Sequence, residues 1–69
     1  MSKVKIVLNG QNYLVEKKQS ILQLIEELNL DMSKVAVEKN YQIIIADDFS
    51  ENTLEQGDII EIVHFIGGG

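Results

Sequence analysis

The stretch KVKIVLNGQNYLVE, residues 3–16, decides the fold. In its first half, every second residue is apolar, which is the period of a half-buried strand. Val4, Ile6 and Leu8 are predicted to lie on the covered face. Asn9-Gly10 follows directly, and this pair suits a type I′ turn because both central residues of that turn need positive φ. The second half is therefore predicted to return antiparallel as a second strand.

The segment SILQLIEELNL, residues 20–30, changes the apolar period from two to about 3.6 and predicts an amphipathic helix. Ser20 followed three residues later by Gln23 is a capping box, in which each side chain satisfies a free backbone donor at the helix start. We expect the helix to run from about Ile21 to about Leu28. One face of it is apolar and consists of Ile21, Leu24, Ile25 and Leu28.

Three more strands are predicted, with a turn near Lys39-Asn40 between the first two: VAVEK (35–39), YQIII (41–45) and IIEIVHFI (59–66). Between the last two, ADDFSENTLEQ (46–56) is predicted to be an acidic loop with one short helical turn and two apolar anchors, Phe49 and Leu54. A long crossover through the helix suits a parallel pair of strands, so the first and last strands are predicted to be parallel neighbours.

Alternation along the last strand divides it into two faces. Ile60 and Ile62 are predicted to be core residues, because Glu61 on the opposite face must reach water. That opposite face also carries Val63 and Phe65, and two exposed apolar side chains beside one carboxylate form a plausible protein-docking surface. The single histidine, His64, falls on the core side of the alternation and is interpreted as a packing or surface residue.

Composition limits the partners of this 69-residue chain, which has six basic and eleven acidic residues and a net charge of −5. From Asn40 onward there is no lysine or arginine, so nucleic-acid binding is not expected and a basic protein partner fits better. No apolar run approaches the ~20 residues that span a bilayer. Residues 1–8 also lack the apolar core of a secretory signal, so a cytoplasmic location with no membrane partner is expected.

The sequence contains no arrangement typical of an active site or a metal site. It has no cysteine, no nucleophile paired with a base and no glycine-rich phosphate loop. Asp47 and Asp48 lack calcium-loop spacing and are interpreted as a solvated surface. We therefore predict no catalytic residue, no metal ligand and no bound cofactor, and we expect the chain to be a substrate of other enzymes.

The sequence ends in HFIGGG, which predicts one domain over residues 1–66 and a flexible glycine tail over residues 67–69. A frayed or cloned tail is one explanation, since termini are commonly disordered. The chemical alternative is that a terminal glycine carboxylate, with no Cβ beside it, slides through a narrow tunnel into another protein's active site. There it could be transferred to a nucleotide as an acyl-adenylate and captured by a nucleophile.

The segments VKIVLNG, SILQLIEEL and GDIIEIVHFIGGG, together with the chain length, resemble the ThiS family, the β-grasp sulfur carriers of thiamine biosynthesis. The resemblance implies an α+β, ubiquitin-like β-grasp fold in which a mixed sheet of four or five strands wraps one helix. It implies that Gly69 is adenylated and converted to a thiocarboxylate, with Gly67 and Gly68 threading into the partner. The docking surface would be Glu61, Val63 and Phe65.

The resemblance also implies the partners. A ThiF-like adenylating enzyme would use ATP to activate Gly69, and a cysteine desulfurase would supply the sulfur. A ThiG-like thiazole synthase would receive the sulfur from the thiocarboxylate, after which the carrier returns to its carboxylate form. The free carrier is expected to be a monomer.

The sequence leaves two alternatives open. The MoaD family of molybdopterin synthesis shares the fold and the Gly-Gly end, but its members tend to be longer and commonly have a proline before the tail, whereas this chain has no proline. The other alternative is a ubiquitin-like modifier whose Gly69 is joined to lysines of other proteins. The same activation chemistry permits all three functions.

Overall fold

The computed structural model describes residues 2–66 of the chain. It contains five strands and one α-helix: β1 (Lys3–Leu8), β2 (Gln11–Glu16), α1 (Ile21–Glu27), β3 (Val35–Lys39), β4 (Gln42–Ile44) and β5 (Ile59–His64). Two short 3₁₀ turns, Met32–Lys34 and Ala46–Asp48, lie in the connections. The sequence predicted every strand and the α-helix, with limits that differ by no more than two residues.

The five strands form one mixed sheet in the order β2-β1-β5-β3-β4. β1 and β5 are parallel, with Val7 opposite Ile59 and Leu8 opposite Ile60, and the other neighbouring strands are antiparallel. The buried residues of α1 pack in one cluster with the buried residues of the sheet. This is the predicted β-grasp fold, and the predicted parallel pairing of the first and last strands is confirmed.

The first hairpin forms as the Asn9-Gly10 pair predicts. Asn9 has a φ of 50° and Gly10 a φ of 83°, so both central residues lie in the left-handed region that a type I′ turn requires. The register places Leu8 opposite Gln11 and Lys3 opposite Glu16. Every residue of β1 therefore has a partner in β2.

Side chains and backbone close both ends of α1. The Ser20 Oγ accepts from the Gln23 backbone N–H at 3.0 Å, and the Gln23 Oε1 accepts from the Ser20 N–H at 2.9 Å, which confirms the capping box. At the other end Asn29 adopts a φ of 59°. This lets the Leu30 N–H reach the Ile25 carbonyl at 3.1 Å, the bond of a Schellman motif, and ends the helix.

The acidic loop covers the start of α1. Its two apolar anchors are buried as predicted, Phe49 at 1% exposure and Leu54 at 0%. The backbone of α1 is tied to the loop as well, because the Leu22 N–H donates to the Phe49 carbonyl at 3.1 Å. Between Asp47 and Gln56 the described chain has only the end of a 3₁₀ turn and no second helix of α1's length. The loop thus completes the core that the helix and sheet leave open.

A carboxylate bridge joins β2 to α1. The Tyr13 hydroxyl donates to Glu27 Oε2 at 2.7 Å, and the Gln19 Nε2 donates to Glu27 Oε1 at 2.8 Å. These two bonds favour the charged carboxylate and hold the pKa of Glu27 below its ordinary value. The same hydrogen bond to Glu27 raises the pKa of Tyr13, since it requires the protonated hydroxyl.

The turn between β3 and β4 lies one residue later than the sequence predicted. Lys39 pairs with Gln42, so Asn40 and Tyr41 are the two central residues, with φ of 52° and 71°. The assignment of Tyr41 to the strand was therefore wrong. Both central residues of a two-residue type I′ turn lie outside the strand ladder. An aromatic residue such as Tyr41 is typical of strands, and the residue type therefore does not indicate that position 41 belongs to the turn.

Replacing Tyr41 by glycine is expected to stabilise the protein. A type I′ turn favours glycine at this position, and the left-handed conformation costs other residues roughly 1–2 kcal/mol. Tyr41 is 74% exposed and loses little packing. Part of the gain is offset by the greater freedom of glycine in the unfolded chain, so we expect about 0.5 kcal/mol of net stabilisation. Urea denaturation measures this, and a lower midpoint for Tyr41→Gly than for the parent would contradict the strain argument.

No α-helix in residues 2–66 has the length and apolar composition needed to cross a membrane.

Candidate functional site

The candidate site is formed by β5 and the two residues after it. Ile60 is 0% exposed and Ile62 is 7% exposed, so both are core residues as predicted. Val63 and Phe65 are each 55% exposed. Because side chains alternate along a strand, these two residues share the outer face of the sheet, opposite α1, with the exposed Glu61. The structure therefore brings together the three residues of the predicted docking surface.

The end of β5 differs from the sequence prediction. The strand stops at His64, two residues before the predicted limit at Ile66. Backbone pairing nevertheless continues for one more residue, since the Phe65 N–H donates to the Lys34 carbonyl at 2.7 Å. Ile66 is 90% exposed. Phe65 is thus held by the backbone next to β3, while Ile66 extends away from the core.

The outer surface continues from β5 onto β3, its neighbour, and onto β4, which lies beyond β3. Val63 lies opposite Ala36 of β3, and Glu38 of β3 lies opposite Ile43 of β4. Ile43 is 77% exposed, and it lines a shallow concavity together with Val63 and Glu61. We call the set Ala36, Glu38, Ile43, Glu61, Val63 and Phe65 the outer-face patch. Sequence reasoning missed its β3 and β4 members.

Two carboxylates face each other within the outer-face patch. Glu38 and Glu61 are directly opposite across the β3–β5 ladder, an arrangement that destabilises a sheet when the charges are alike. Within residues 2–66 neither carboxylate forms an ion pair. The ion pairs found there join Lys3 to Glu16 and Lys39 to Asp58. A cation brought by another protein would relieve this repulsion, so the patch is suited to a basic partner.

His64 does not join the core. It is exposed at the end of the strand, which agrees with its interpretation as a packing or surface residue. Nearby, Asp31 accepts from both the backbone and the hydroxyl of Ser33. These bonds hold the pKa of Asp31 below its ordinary value, with smaller contributions from the charges of Lys34 and His64.

The described chain offers no metal centre, since residues 2–66 hold no group of three or more His, Asp or Glu side chains that could bind a metal ion. Asp47 and Asp48 lie exposed in the second 3₁₀ turn. The predicted modification site Gly69 and the threading residues Gly67 and Gly68 lie outside the described residues. The prediction of a flexible tail at 67–69 lies there too.

The sequence model of the ThiS family matches residues 5–69. A sulfur carrier protein ThiS of Bacillus subtilis is 40% identical over 63 residues, which cover 90% of this chain and 96% of that protein. A thiazole synthase of Paramagnetospirillum magneticum is 38% identical over 66 residues. Those residues are 96% of this chain, which spans about 20% of the length of that synthase.

Solved structures agree with these sequence matches. The crystal structure of a thiamine biosynthesis protein (ThiS) from Geobacter metallireducens superposes with a TM-score of 0.80 at 26% identity, covering 96% of this chain and all of that one. The solution structure of a thiamine biosynthesis protein from the same organism gives a TM-score of 0.77 at 26% identity. The fold is therefore shared over nearly the whole chain.

Proposed function

The chain belongs to the ThiS family, and from this we propose that it is a sulfur carrier for thiamine biosynthesis, with the Gly69 carboxylate as the group that takes up sulfur. The observation that carries the proposal is the extent of the family match, which runs through the glycines to residue 69. The similarity to the Bacillus subtilis sulfur carrier supports it, since the aligned residues cover 96% of that protein.

The proposed chemistry first activates the Gly69 carboxylate and then replaces the activating group at its carbonyl carbon by sulfur. A carboxylate oxygen of Gly69 attacks the α-phosphorus of ATP in a ThiF-like enzyme, pyrophosphate leaves, and an acyl-adenylate forms. The outer sulfur of an enzyme persulfide, formed from cysteine by a desulfurase, then attacks the carbonyl carbon, and AMP leaves. A thiol reductant breaks the S–S bond of the resulting acyl disulfide and releases the Gly69 thiocarboxylate. The carrier supplies the carbonyl and the partner supplies the ATP, so the chain itself acts as a substrate without a bound cofactor. Because adenylation consumes ATP, we place the carrier in the cytoplasm.

The proposed acceptor of the sulfur is a ThiG-like thiazole synthase. The supporting observation is that a segment of two proteins named thiazole synthase is 38% identical to nearly all of this chain. A carrier-like segment within the same polypeptide as a synthase is expected if the two act in succession, since a covalent link raises their effective concentration.

The outer-face patch is the proposed docking surface for the activating enzyme. Its apolar members Ile43, Val63 and Phe65 offer exposed area for burial, and Glu38 and Glu61 offer negative charge. Apolar burial supplies most of the binding free energy in such an interface, while complementary charge raises the association rate and the specificity. We expect a basic rim on the enzyme around an apolar pocket that receives Phe65.

Replacing Phe65 by alanine is expected to weaken binding to the activating enzyme by roughly tenfold or more, which is the effect of losing about 1.4 kcal/mol or more at an aromatic contact. The weakening should persist at high salt, because burial of the aromatic ring does not depend on charge. Added salt should weaken the parent as well, through screening of Glu38 and Glu61. Calorimetric titration at two salt concentrations measures both effects.

Leu14→Ala is the matched control for this substitution. Leu14 lies on the outer face of β2 and is 59% exposed, close to the 55% of Phe65, but it is outside the outer-face patch. We expect its replacement to change the affinity by less than about twofold, as for other residues outside an interface. Equal affinity of the Phe65→Ala variant and the parent would show that Phe65 is only a local packing feature.

The mass of the chain isolated from its own cells tests the proposed function. A sulfur carrier should contain a fraction of molecules in which one oxygen is replaced by sulfur. A ubiquitin-like modifier should instead appear as larger adducts joined to lysines of other proteins. Adducts without any sulfur-bearing chain would contradict the carrier function and favour the modifier.

A further inference from the structure

The side chain of Asn9 continues the sheet where β1 stops. The β1–β5 ladder ends with Leu8 opposite Ile60, and the Asn9 N–H donates to the Ile60 carbonyl at 2.9 Å. The Asn9 amide then binds both backbone groups of Ile62, accepting from its N–H at 2.8 Å and donating to its carbonyl at 3.2 Å. One side-chain amide therefore takes the place of a backbone peptide unit in the next position of a strand.

A second asparagine holds the other end of β5. Asn40 occupies the first central position of the β3–β4 turn, as Asn9 does in the β1–β2 turn. The Asn40 Oδ1 accepts from the Ile59 N–H at 2.9 Å, and the Asn40 N–H donates to the Ile59 carbonyl at 2.7 Å. Asn40 thus binds β5 at its first residue, Ile59, and Asn9 binds β5 at Ile62, directly before the exposed Val63.

The position of Asn9 makes it the last support on one side of β5. In residues 2–66 no hydrogen bond reaches β5 from the β1 side beyond Ile62. Among the described residues, the backbone from Val63 to Ile66 is hydrogen-bonded only on the β3 side, through the ladder and the bond from Phe65 to Lys34. A backbone that is hydrogen-bonded only on one side moves more freely than one bonded on both sides. The segment bonded on one side, residues 63–66, contains Val63 and Phe65.

We propose that Asn9 is a positioning residue for the C-terminal segment. By binding both backbone groups of Ile62, its amide fixes the direction in which residues 63–66 leave the sheet. It thereby keeps Val63 and Phe65 in one plane with Glu61 and Ile43. The inference rests on the proposed function, because it assigns Asn9 a role in presenting Val63 and Phe65 to the activating enzyme.

With the two Asn9 bonds in place, a larger fraction of the molecules has Val63 and Phe65 positioned for docking than without them. When only a fraction of a protein is in the binding-competent state, its apparent affinity falls by that fraction. Losing Asn9's two bonds should therefore raise the KM for the carrier as a substrate of the activating enzyme. The kcat should change little, because a docked tail reaches the nucleotide in the same geometry.

Asn9→Gly and Asn40→Gly form a matched pair that separates positioning from stability. Glycine tolerates the positive φ of both turns, so each variant keeps its turn and loses only the side-chain amide. Asn9→Asp is a third variant, since its carboxylate can still accept from the Ile62 N–H but cannot donate to the carbonyl. Amide exchange of residues 62–66 in the free chain, and kcat and KM for thiocarboxylate formation, are the measurements.

We expect Asn9→Gly to raise KM about three- to tenfold, the equivalent of one or two net hydrogen bonds, with kcat within about twofold of the parent. Exchange at Ile62 should be faster, and Asn9→Asp should be intermediate. Asn40→Gly should leave KM unchanged although it also loses stability. Equal KM values for both glycine variants would overturn the role of Asn9. Failure of the parent itself to load would instead contradict the proposed function.

Discussion

The substitution Phe49→Ala is expected to destabilise the fold by about 3–5 kcal/mol, the usual cost of truncating a buried phenylalanine. Phe49 is 1% exposed and is the largest fully buried side chain. It comes from the acidic loop and fills the core beside the start of α1. A chain of 69 residues has a total stability of only about 3–10 kcal/mol, so this one change should unfold a large part of the population.

Phe65→Ala is the control, since the chain has only two phenylalanines. Phe65 is 55% exposed, and its truncation should cost less than about 1 kcal/mol. Urea denaturation followed by circular dichroism measures both variants. The packing account is contradicted if Phe49→Ala and Phe65→Ala lower the midpoint equally, because the acidic loop would then contribute no more to the core than the exposed end of β5.

Changing the end of the chain is expected to abolish sulfur loading altogether. Deletion of Gly68 and Gly69 removes the proposed reactive carbonyl, and one residue added after Gly69 moves the carboxylate away from the α-phosphorus. Because a displacement of 1 Å can cost about a hundredfold in rate, a whole residue should leave no measurable thiocarboxylate. A valine in place of Gly68 should also block loading, since it would put a side chain into the narrow tunnel that we expect to receive the bare glycine backbone.

The control for the tail variants is one residue added before Ser2, which changes the chain length by the same amount at the other end. This variant should load like the parent. All variants should also keep the parent's stability, since the changes lie outside residues 2–66 or at their edge. Sulfur loading of the chain that lacks Gly68 and Gly69 would place the carrier atom elsewhere and overturn the proposed chemistry.

Much of the fold could be predicted because its signals are local. Asn9-Gly10 specifies a two-residue turn through the φ values of two adjacent residues. Ser20 and Gln23 specify the helix start through two bonds that span three residues. The alternation around Glu61 identified the core and outer faces of β5 in the same way. Each signal lies within one short window of sequence.

The part of the outer-face patch on β4 could not be predicted by the same reasoning. Ile43, Ile44 and Ile45 are identical in type, so the segment shows no alternation that could identify which of them faces outward. The register with β3 decides this, and it depends on a turn at Asn40-Tyr41 that lacks glycine. Glu38 opposite Glu61 depends likewise on a pairing between distant strands.

The contact of Asn9 with Ile62 is also invisible to a local reading, because 53 residues separate the two along the sequence. The Asn-Gly pair explains Asn9 fully as a turn residue, and nothing in that explanation requires its amide to bind β5. Only the parallel pairing of β1 with β5 brings the turn beside Ile62. A residue can therefore satisfy a local rule and carry a second, long-range role.

The most direct test of the proposed carrier function is to locate sulfur on the chain after reaction. The parent is incubated with a ThiF-like adenylating enzyme, ATP and a cysteine desulfurase with cysteine, and the product is fragmented in a mass spectrometer. We expect that one oxygen is replaced by sulfur, that the change lies in the fragment ending at Gly69, and that it requires ATP. An unmodified Gly69, or a Gly69 found only in bonds to lysines, would contradict the carrier function.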